Sequence, residues 1–507
     1  MFTSIMNTGY HRLLASLREH HDLKGALALL HWDQETQLPA GAGAGRARQI
    51  GALAAIVHER ETDPRFLDLV DDLAAQLDRL APPQQVDVRE TKWRLDRKRR
   101  LDAGLVRERA ALKSEAHAVW VRARRDDDFA ALAPYLARLV AIERRVAMAI
   151  DSGRAPYDVL LEGFERGATT AMLDETFRDL RDGLVPLIAR LQGRLIDRSL
   201  DTTALCGHFA ADHQRRFNRA VAERLGFDFE RGRLDESVHP FTTEVGDDVR
   251  ITTRISEQDL RYALFSTLHE TGHALYELGL EPEARGTPRG TACSMGMHES
   301  QSRLWENLVG RCEAFWRWLW PLAAEAFPVL QDRSLAAVLL AANEARPSLI
   351  RTEADELTYN LHIILRFELE QVLLAGDLGV ADLPGAWRAK MRHYLGVEPA
   401  TDREGVLQDV HWAEGLFGYF PTYSLGNLYA AQLYEAARRD LGPLDEAFAC
   451  GDFAPLLGWL RRRVHVHGQT YHAPELIARA TGAAPSARPL LVHLERKLEW
   501  LEAMASD

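Results

Sequence analysis

The stretch HETGHALYE (269–277) sets His269 and His273 one helical turn apart, with Glu270 directly after the first. At 3.6 residues per turn the two imidazoles are offset by about 40° around a helix axis, so both can reach one ion. Glu270 stands about 100° further round, where its carboxylate meets a water on the metal rather than the metal itself. A bound ion would lower that water's pKa towards about 7, and Glu270 would accept its proton. The competing reading is a helix that carries the pattern by chance, its histidines solvated.

A third ligand decides between these readings. The three-histidine version of the motif needs glycine at 276 and histidine at 279, whereas this chain has Tyr276 and Gly279. A glutamate from a second helix completes the two-His-one-Glu set of open catalytic zinc sites. GMHESQSRLWENLVGRCEAFW (296–316) is the candidate helix, reached through the loop EPEARGTPRG. Glu299 is favoured as the ligand and Glu306, two turns on, is its rival. Ligating histidines usually donate their other nitrogen to an acid. Arg303 occupies the position one turn after Glu299, so Asp355 and Asp409 are the candidates for that role.

The elements around the motif read as follows. Leu260, Leu264, Leu268, Leu275 and Leu278 repeat at helical spacing. The motif helix is expected from Ser256, capped with Asp259 three residues on, to a terminating Gly279. Just before it, HPFTTEVGDDVRITTRIS (239–256) alternates and is rich in Thr, Val and Ile, which predicts a hairpin or three-strand sheet. Such a strand can offer an edge to an extended peptide. Elsewhere helical periodicity dominates, at 10–30 and 42–59 and in long charged helices over 105–150. PPQQ at 82–85 reads as a turn and 152–163 as a loop leading into another element. The whole chain, 1–507, is read as one mainly α domain, with two helical lobes flanking a groove as a variant of it.

Composition narrows the partners. Of the 507 residues 46% are apolar and 27% charged, the balance of a soluble globular protein. A formal net charge of -12 argues against nucleic acid and anionic membranes. No apolar run approaches the roughly 18–20 residues of a membrane span, and charges interrupt the N-terminal stretch where a signal peptide would need an apolar core. Cys206, Cys293, Cys312 and Cys450 are scattered, which suits a reducing cytoplasm. Cys293, close to the motif region, is read as ordinary packing.

HETGH followed by HESQSR (298–303) resembles the carboxypeptidase Taq family, peptidase family M32. Further blocks resemble it in order: HPF at 239–241, DVRIT at 248–252, IRTEAD at 350–355, GVLQDVHW at 405–412 and GLFGYFPTYSLGN at 415–427. LLHWDQETQLPAGAGAGRARQI (29–50) and VHVHGQTYHAPELIARATG (464–482) extend the likeness over the chain. The resemblance implies a mainly α metallopeptidase fold with a deep groove and often a homodimer. It also implies release of single residues from peptide C-termini with zinc, cobalt being able to substitute. Carried over by position, His269, His273 and Glu299 bind the metal and Glu270 is the base.

Exopeptidase action needs a cation for the substrate's terminal carboxylate. Arginine suits it through bidentate pairing. Arg351 in IRTEAD and Arg250 in DVRIT are the candidates. The alternative is that each is a structural ion pair, Arg351 with Glu353 or Asp355 and Arg250 with Asp248. Donors to a tetrahedral oxyanion could come from His411 and from Tyr423 or Tyr419, with His239 as a further substrate contact. His465, His467 and His472 are read as structural. The expected activity is therefore a broad-specificity zinc carboxypeptidase in the cytoplasm. An endo-acting oligopeptidase of the same chemistry, and a non-catalytic helical scaffold with structural zinc, are the alternatives.

Overall fold

Helices make up most of the protein and begin where their sequences offer caps. In this computed structural model, residues 2–193 and 201–504 are described, with side chains from residue 8 onward. Asp102 opens the helix Ala103–Asp126 by accepting from Leu105 N at 2.9 Å. Asp128 opens Phe129–Ile150 in the same way. These are the charged helices expected over 105–150, folded as a hairpin on either side of Asp127, whose φ of 56° is left-handed. The periodic stretches at 10–30 and 42–59 lie within helices Phe2–Thr36 and Gly43–Glu61.

Two local expectations fail for one reason. PPQQ does not turn the chain but opens the helix Pro82–Arg99, with the Gln84 side chain accepting from Ala81 N at 3.1 Å. Proline loses nothing at a first helical position, where its missing N–H has no partner to find. The stretch 152–163 likewise contains a helix, Pro156–Leu161, entered through Pro156.

A small sheet backs the motif helix. Strands β1 (Gly232–Glu236), β2 (Thr242–Val245) and β3 (Asp248–Thr253) lie in the order β1-β3-β2. β3 runs parallel to β1 and antiparallel to β2, so β2 is an edge strand. Val249 and Ile251 of β3 pack with Ala274 and Leu278 of the motif helix, while Arg250, between them, points to the other face.

The motif helix runs Leu260–Gly279, and its cap is Asp259, which accepts from Arg261 N at 2.9 Å. The expected start at Ser256 is corrected by that bond. Its periodic leucines are all buried: Leu260, Leu264, Leu268 and Leu275 in the main core and Leu278 against the sheet. Gly279 ends the helix for a different reason from the expected left-handed cap. A Cβ there would lie 2.3 Å from the His465 ring, so the residue is small because a side chain packs onto it. No described helix is long and apolar enough to cross a membrane.

The second helix of the site, Met295–Arg303, is capped by Ser294 and continues into a π-helical segment, Leu304–Val309. It lies between the motif helix and the helix Pro421–Leu441. Both contacts are backbone-close. A Cβ on Gly272 would come within 2.5 Å of Gln301 O, and one on Gly426 within 2.5 Å of Glu299 Cγ. Overpacking of this kind costs about 1–3 kcal/mol. Gly272→Ala is therefore expected to lower the thermal midpoint and the stoichiometry of metal uptake together. Unchanged values of both would show that the helices are not seated on this glycine.

Candidate metal centre and peptide groove

His269 and His273 point from the motif helix at Glu299 of the second helix. Glu299 Oε2 lies 3.4 Å from His273 Nε2 and 3.7 Å from His269 Nε2. All three donor atoms lie within 4.8 Å of one another. These separations exceed the ~2.7–2.9 Å of a charge-assisted hydrogen bond. They match the ~3.4 Å that separates two ligands held ~2.1 Å from one tetrahedral ion. The donor set and its spacing thus fit a zinc-like cation. Among the described residues no other group of three such side chains comes together in this way.

Charge around the triangle favours a cation. Glu306 Oε2 bonds His269 Nδ1 at 2.8 Å, fixing the ring and directing Nε2 inward. Burial opposes a charge on His269, but the carboxylates of Glu299 and Glu306 outweigh it and hold the ring at about 9. Arg303 balances the two acids, with Nε 2.7 Å from Glu299 Oε1 and Nη1 3.3 Å from Glu306 Oε2. Burial also works against charge on Glu306, yet Arg303 and His269 draw it down to about 2. His273 is pushed down to about 4 by burial and by the neighbouring imidazoles of His298 and His269. Its ring stacks on His298 with centroids 4.4 Å apart, and His298 Nε2 bonds Glu277 Oε1 at 2.7 Å.

Glu306 is therefore the acid behind His269, and neither Asp355 nor Asp409 bonds that ring. Asp355 accepts from the backbone of Leu357 and Arg346 as a local cap. Asp409 lies between Arg351 and Arg366.

Glu270 is only 6% exposed, and strand β2 holds it. Thr242 Oγ1 donates to Glu270 Oε2 at 2.6 Å, which sets the carboxylate beside the triangle rather than in it. A cavity of about 690 Å³ opens beside β2, walled by Thr242, Thr243, Trp93, Arg94 and Arg97. The edge strand thus borders a cavity whose walls include none of His269, Glu270, His273 and Glu299.

The turn-rich segment before helix Pro421–Leu441 brings a second group together. His411 Nε2 bonds Tyr423 OH at 3.2 Å, and the His411 ring lies against Phe420 at a tilt of 32°, with ring centres 4.4 Å apart. Burial pushes His411 down to about 4 and Tyr419 up to about 12; Tyr423 is pushed up as well. Arg351 joins them, its guanidinium carbon 5.0 Å from the Tyr423 ring centre. Its ion-pair partner is neither Glu353 nor Asp355 but Asp409, through Nε at 3.0 Å and Nη2 at 2.7 Å; Nη1 donates to Tyr359 OH at 3.1 Å. Arg303 lies over the Tyr359 ring, so this group adjoins the metal triangle.

Arg250 and His239 are not brought there. Arg250 bonds Asp248 at 2.8 Å and, with Arg233, lies against Trp32 of the first helix, clamping that helix to the sheet. His239 is exposed in the loop between β1 and β2, where its carbonyl accepts from Ser237 Oγ. His465 has the structural role expected of it, bonding Gln301 at 3.0 Å, and Cys293 is buried packing.

Residues 12–498 match the family model described as carboxypeptidase Taq (M32) metallopeptidase. The chain belongs to that family. M32 relatives align nearly end to end. Thermostable carboxypeptidase 1 of Thermus thermophilus is 46% identical over 96% of this chain and 98% of its own. Carboxypeptidase 1 of Bacillus subtilis is 39% identical over 93% and 94%. The crystal structure of an M32 carboxypeptidase from Deinococcus radiodurans R1 superposes with a TM-score of 0.94 at 42% identity, covering 98% of this chain and 100% of that one. The protein is thus a metallocarboxypeptidase, a hydrolase of peptide bonds, and its helical fold with a small sheet is that of M32 structures.

Within this M32 site, Thr242 and Glu306 are the residues that sequence reasoning did not assign. Glu306 had a signal, being weighed as a rival ligand, but its contact with His269 depends on how the π-helical segment packs. Thr242 had none beyond its place in HPFTT. Loss of an acid behind a ligating histidine typically costs 10–100-fold in metal affinity. Glu306→Gln is accordingly expected to weaken metal binding by about that factor while Glu299 still ligates, as measured by titration against a competing chelator. Unaltered affinity would remove Glu306 from the site.

Proposed function

We propose that the protein is a zinc-dependent carboxypeptidase that releases single residues of varied type from peptide C-termini. The observation that carries this reading is the Glu270 carboxylate, held by Thr242 beside a two-His-one-Glu triangle of tetrahedral spacing. His269, His273 and Glu299 would hold the ion, with cobalt able to replace zinc. When bound, zinc supplies Lewis-acid polarisation of the scissile carbonyl and a water of lowered pKa.

The chain's own residues do the rest. Glu270 takes the proton of the attacking water and returns it to the leaving amine. The bond from Thr242 leaves Glu270 Oε1 clear for that transfer. His411 is neutral near pH 7 and the buried tyrosines keep their phenolic protons, so His411 and Tyr423 offer uncharged donors to the oxyanion of the tetrahedral intermediate. Arg351 binds the substrate's terminal carboxylate. An arginine has five N–H donors; Asp409 and Tyr359 engage Nε and one N–H on each terminal nitrogen. One N–H remains on Nη1 and one on Nη2. Asp409 also keeps the guanidinium in a single orientation, which lowers the ordering cost of binding an anion.

Glu270→Gln is expected to retain stoichiometric zinc and to lose about 10²–10⁴-fold in kcat. Full activity in that variant would remove the general-base role. Exo and endo action separate on a peptide blocked at its N-terminus and followed by mass spectrometry. Stepwise loss from the C-terminus is expected, and a C-terminal amide should abolish most of it by denying Arg351 its anion. Internal cleavage, unaffected by amidation, would favour an oligopeptidase.

A further inference from the structure

Glu370 lies in the middle of the helix Tyr359–Ala375 and is fully buried. Three donors converge on it. Trp412 Nε1 donates to Oε1 at 2.8 Å; Gly418 N at 3.0 Å and Tyr157 OH at 2.9 Å both donate to Oε2. Trp412 follows His411, and Gly418 precedes Tyr419. One carboxylate therefore ties both ends of the turn that presents His411 and the tyrosines.

Backbone bonds shape the turn from within, Gly415 N to Trp412 O at 3.0 Å and Leu416 N to His411 O at 2.9 Å, while Glu370 fixes it to the neighbouring helix. Gly418 has a φ of 87°, a conformation costly for other residues. A Cβ there would also lie 2.7 Å from Leu161 N, so the backbone is pressed against helix Pro156–Leu161. Tyr157, the third donor, comes from that same helix. Phe164, just beyond it, meets the Tyr419 ring edge-on at 5.2 Å. Glu370 thus joins the 411–419 turn, its own helix and the wall behind them at one point. A buried carboxylate is a costly choice for a purely structural tie, since an isolated charge pays for its lost water unless every lone pair is used. Burial pushes the Glu370 carboxyl up to about 7 against the pull of its hydrogen bonds and of Arg366. With only donors around it, the ionised form suits the geometry.

We propose that Glu370 is a positioning residue of the hydrolytic reaction, holding His411 and Tyr423 in place through Trp412 and Gly418. It rests on the reading of His411 and Tyr423 as oxyanion donors. Glutamine at 370 turns one acceptor into a donor, so whichever way the amide faces, at least one of the three partners meets another donor. Displacements of about 1 Å at a reacting centre cost on the order of 10²-fold.

Glu370→Gln is expected to lower kcat by roughly 10–100-fold with KM within about threefold of the parent and full zinc content. Trp412→Phe removes one tie and leaves the carboxylate its other two donors, and should lower kcat in the same way. The double variant should fall no further than Glu370→Gln alone, because both act through one link. Trp412→Phe also carries the test if Glu370→Gln does not fold. An unchanged kcat, or a loss shared equally by KM and zinc content, would overturn the proposal. Crystal structures of the variants separate this idea from the function it rests on. The His411–Tyr423 bond should open while the His269, His273 and Glu299 triangle stays as it was. A parent enzyme with no exopeptidase activity would defeat the functional reading, and an unmoved His411 would defeat this one.

Discussion

The site rests on the backbone contact at Gly272. Where the motif helix crosses the second helix, the missing side chain lets the carbonyl of Gln301 and the Cα of Ser302 come within van der Waals range. Only at that spacing does Glu299 reach both imidazoles. Gly426 does the same from the opposite side, leaving room for the Glu299 side chain under helix Pro421–Leu441. Glu299 is therefore gripped between two helices at positions where each dispenses with a Cβ, and Arg303 and Ser302 hold its carboxylate by hydrogen bonds.

Close packing brings a burden of charge into the interior. Glu299, Glu306, Arg303, Arg351, Arg366 and Asp409 are all largely removed from water, and buried ions are tolerated only when their partners are complete. Here they are shared economically. Arg303 serves both glutamates, and Asp409 serves both remaining arginines. Each acid is thereby held ionised, and the field at the triangle stays attractive to a cation. Tyr359 connects the two networks, under Arg303 on one side and bonded to Arg351 on the other. The elements that would grip metal and substrate are thus electrostatically one body.

Local periodicity made much of this readable. The leucine spacing of the motif helix, the two histidines on one turn, the strand preceding them and the returning helix with Glu299 all follow from short-range rules. The errors were also local. Ser256 and Asp259 are both competent caps three residues apart, and only the bond to Arg261 N distinguishes them. Pro82 and Pro83 mark a helix start or a turn equally well. Arg250 and Arg351 each stand in a motif beside an acid, and the fold pairs the first with Asp248 and the second with Asp409.

What the chain determined by itself was therefore the chemistry: which atoms could bind an ion, which carboxylate could move a proton, and that helices would carry them. Those properties depend on residue type and on spacing within a turn or two, which a linear sequence records. The tertiary structure alone decided the company each group keeps. Glu306 behind His269, Thr242 on Glu270 and Asp409 on Arg351 pair residues from different elements or across a change of helix geometry. Such pairs depend on how helices and strand stack in three dimensions, and no spacing along the chain encodes that.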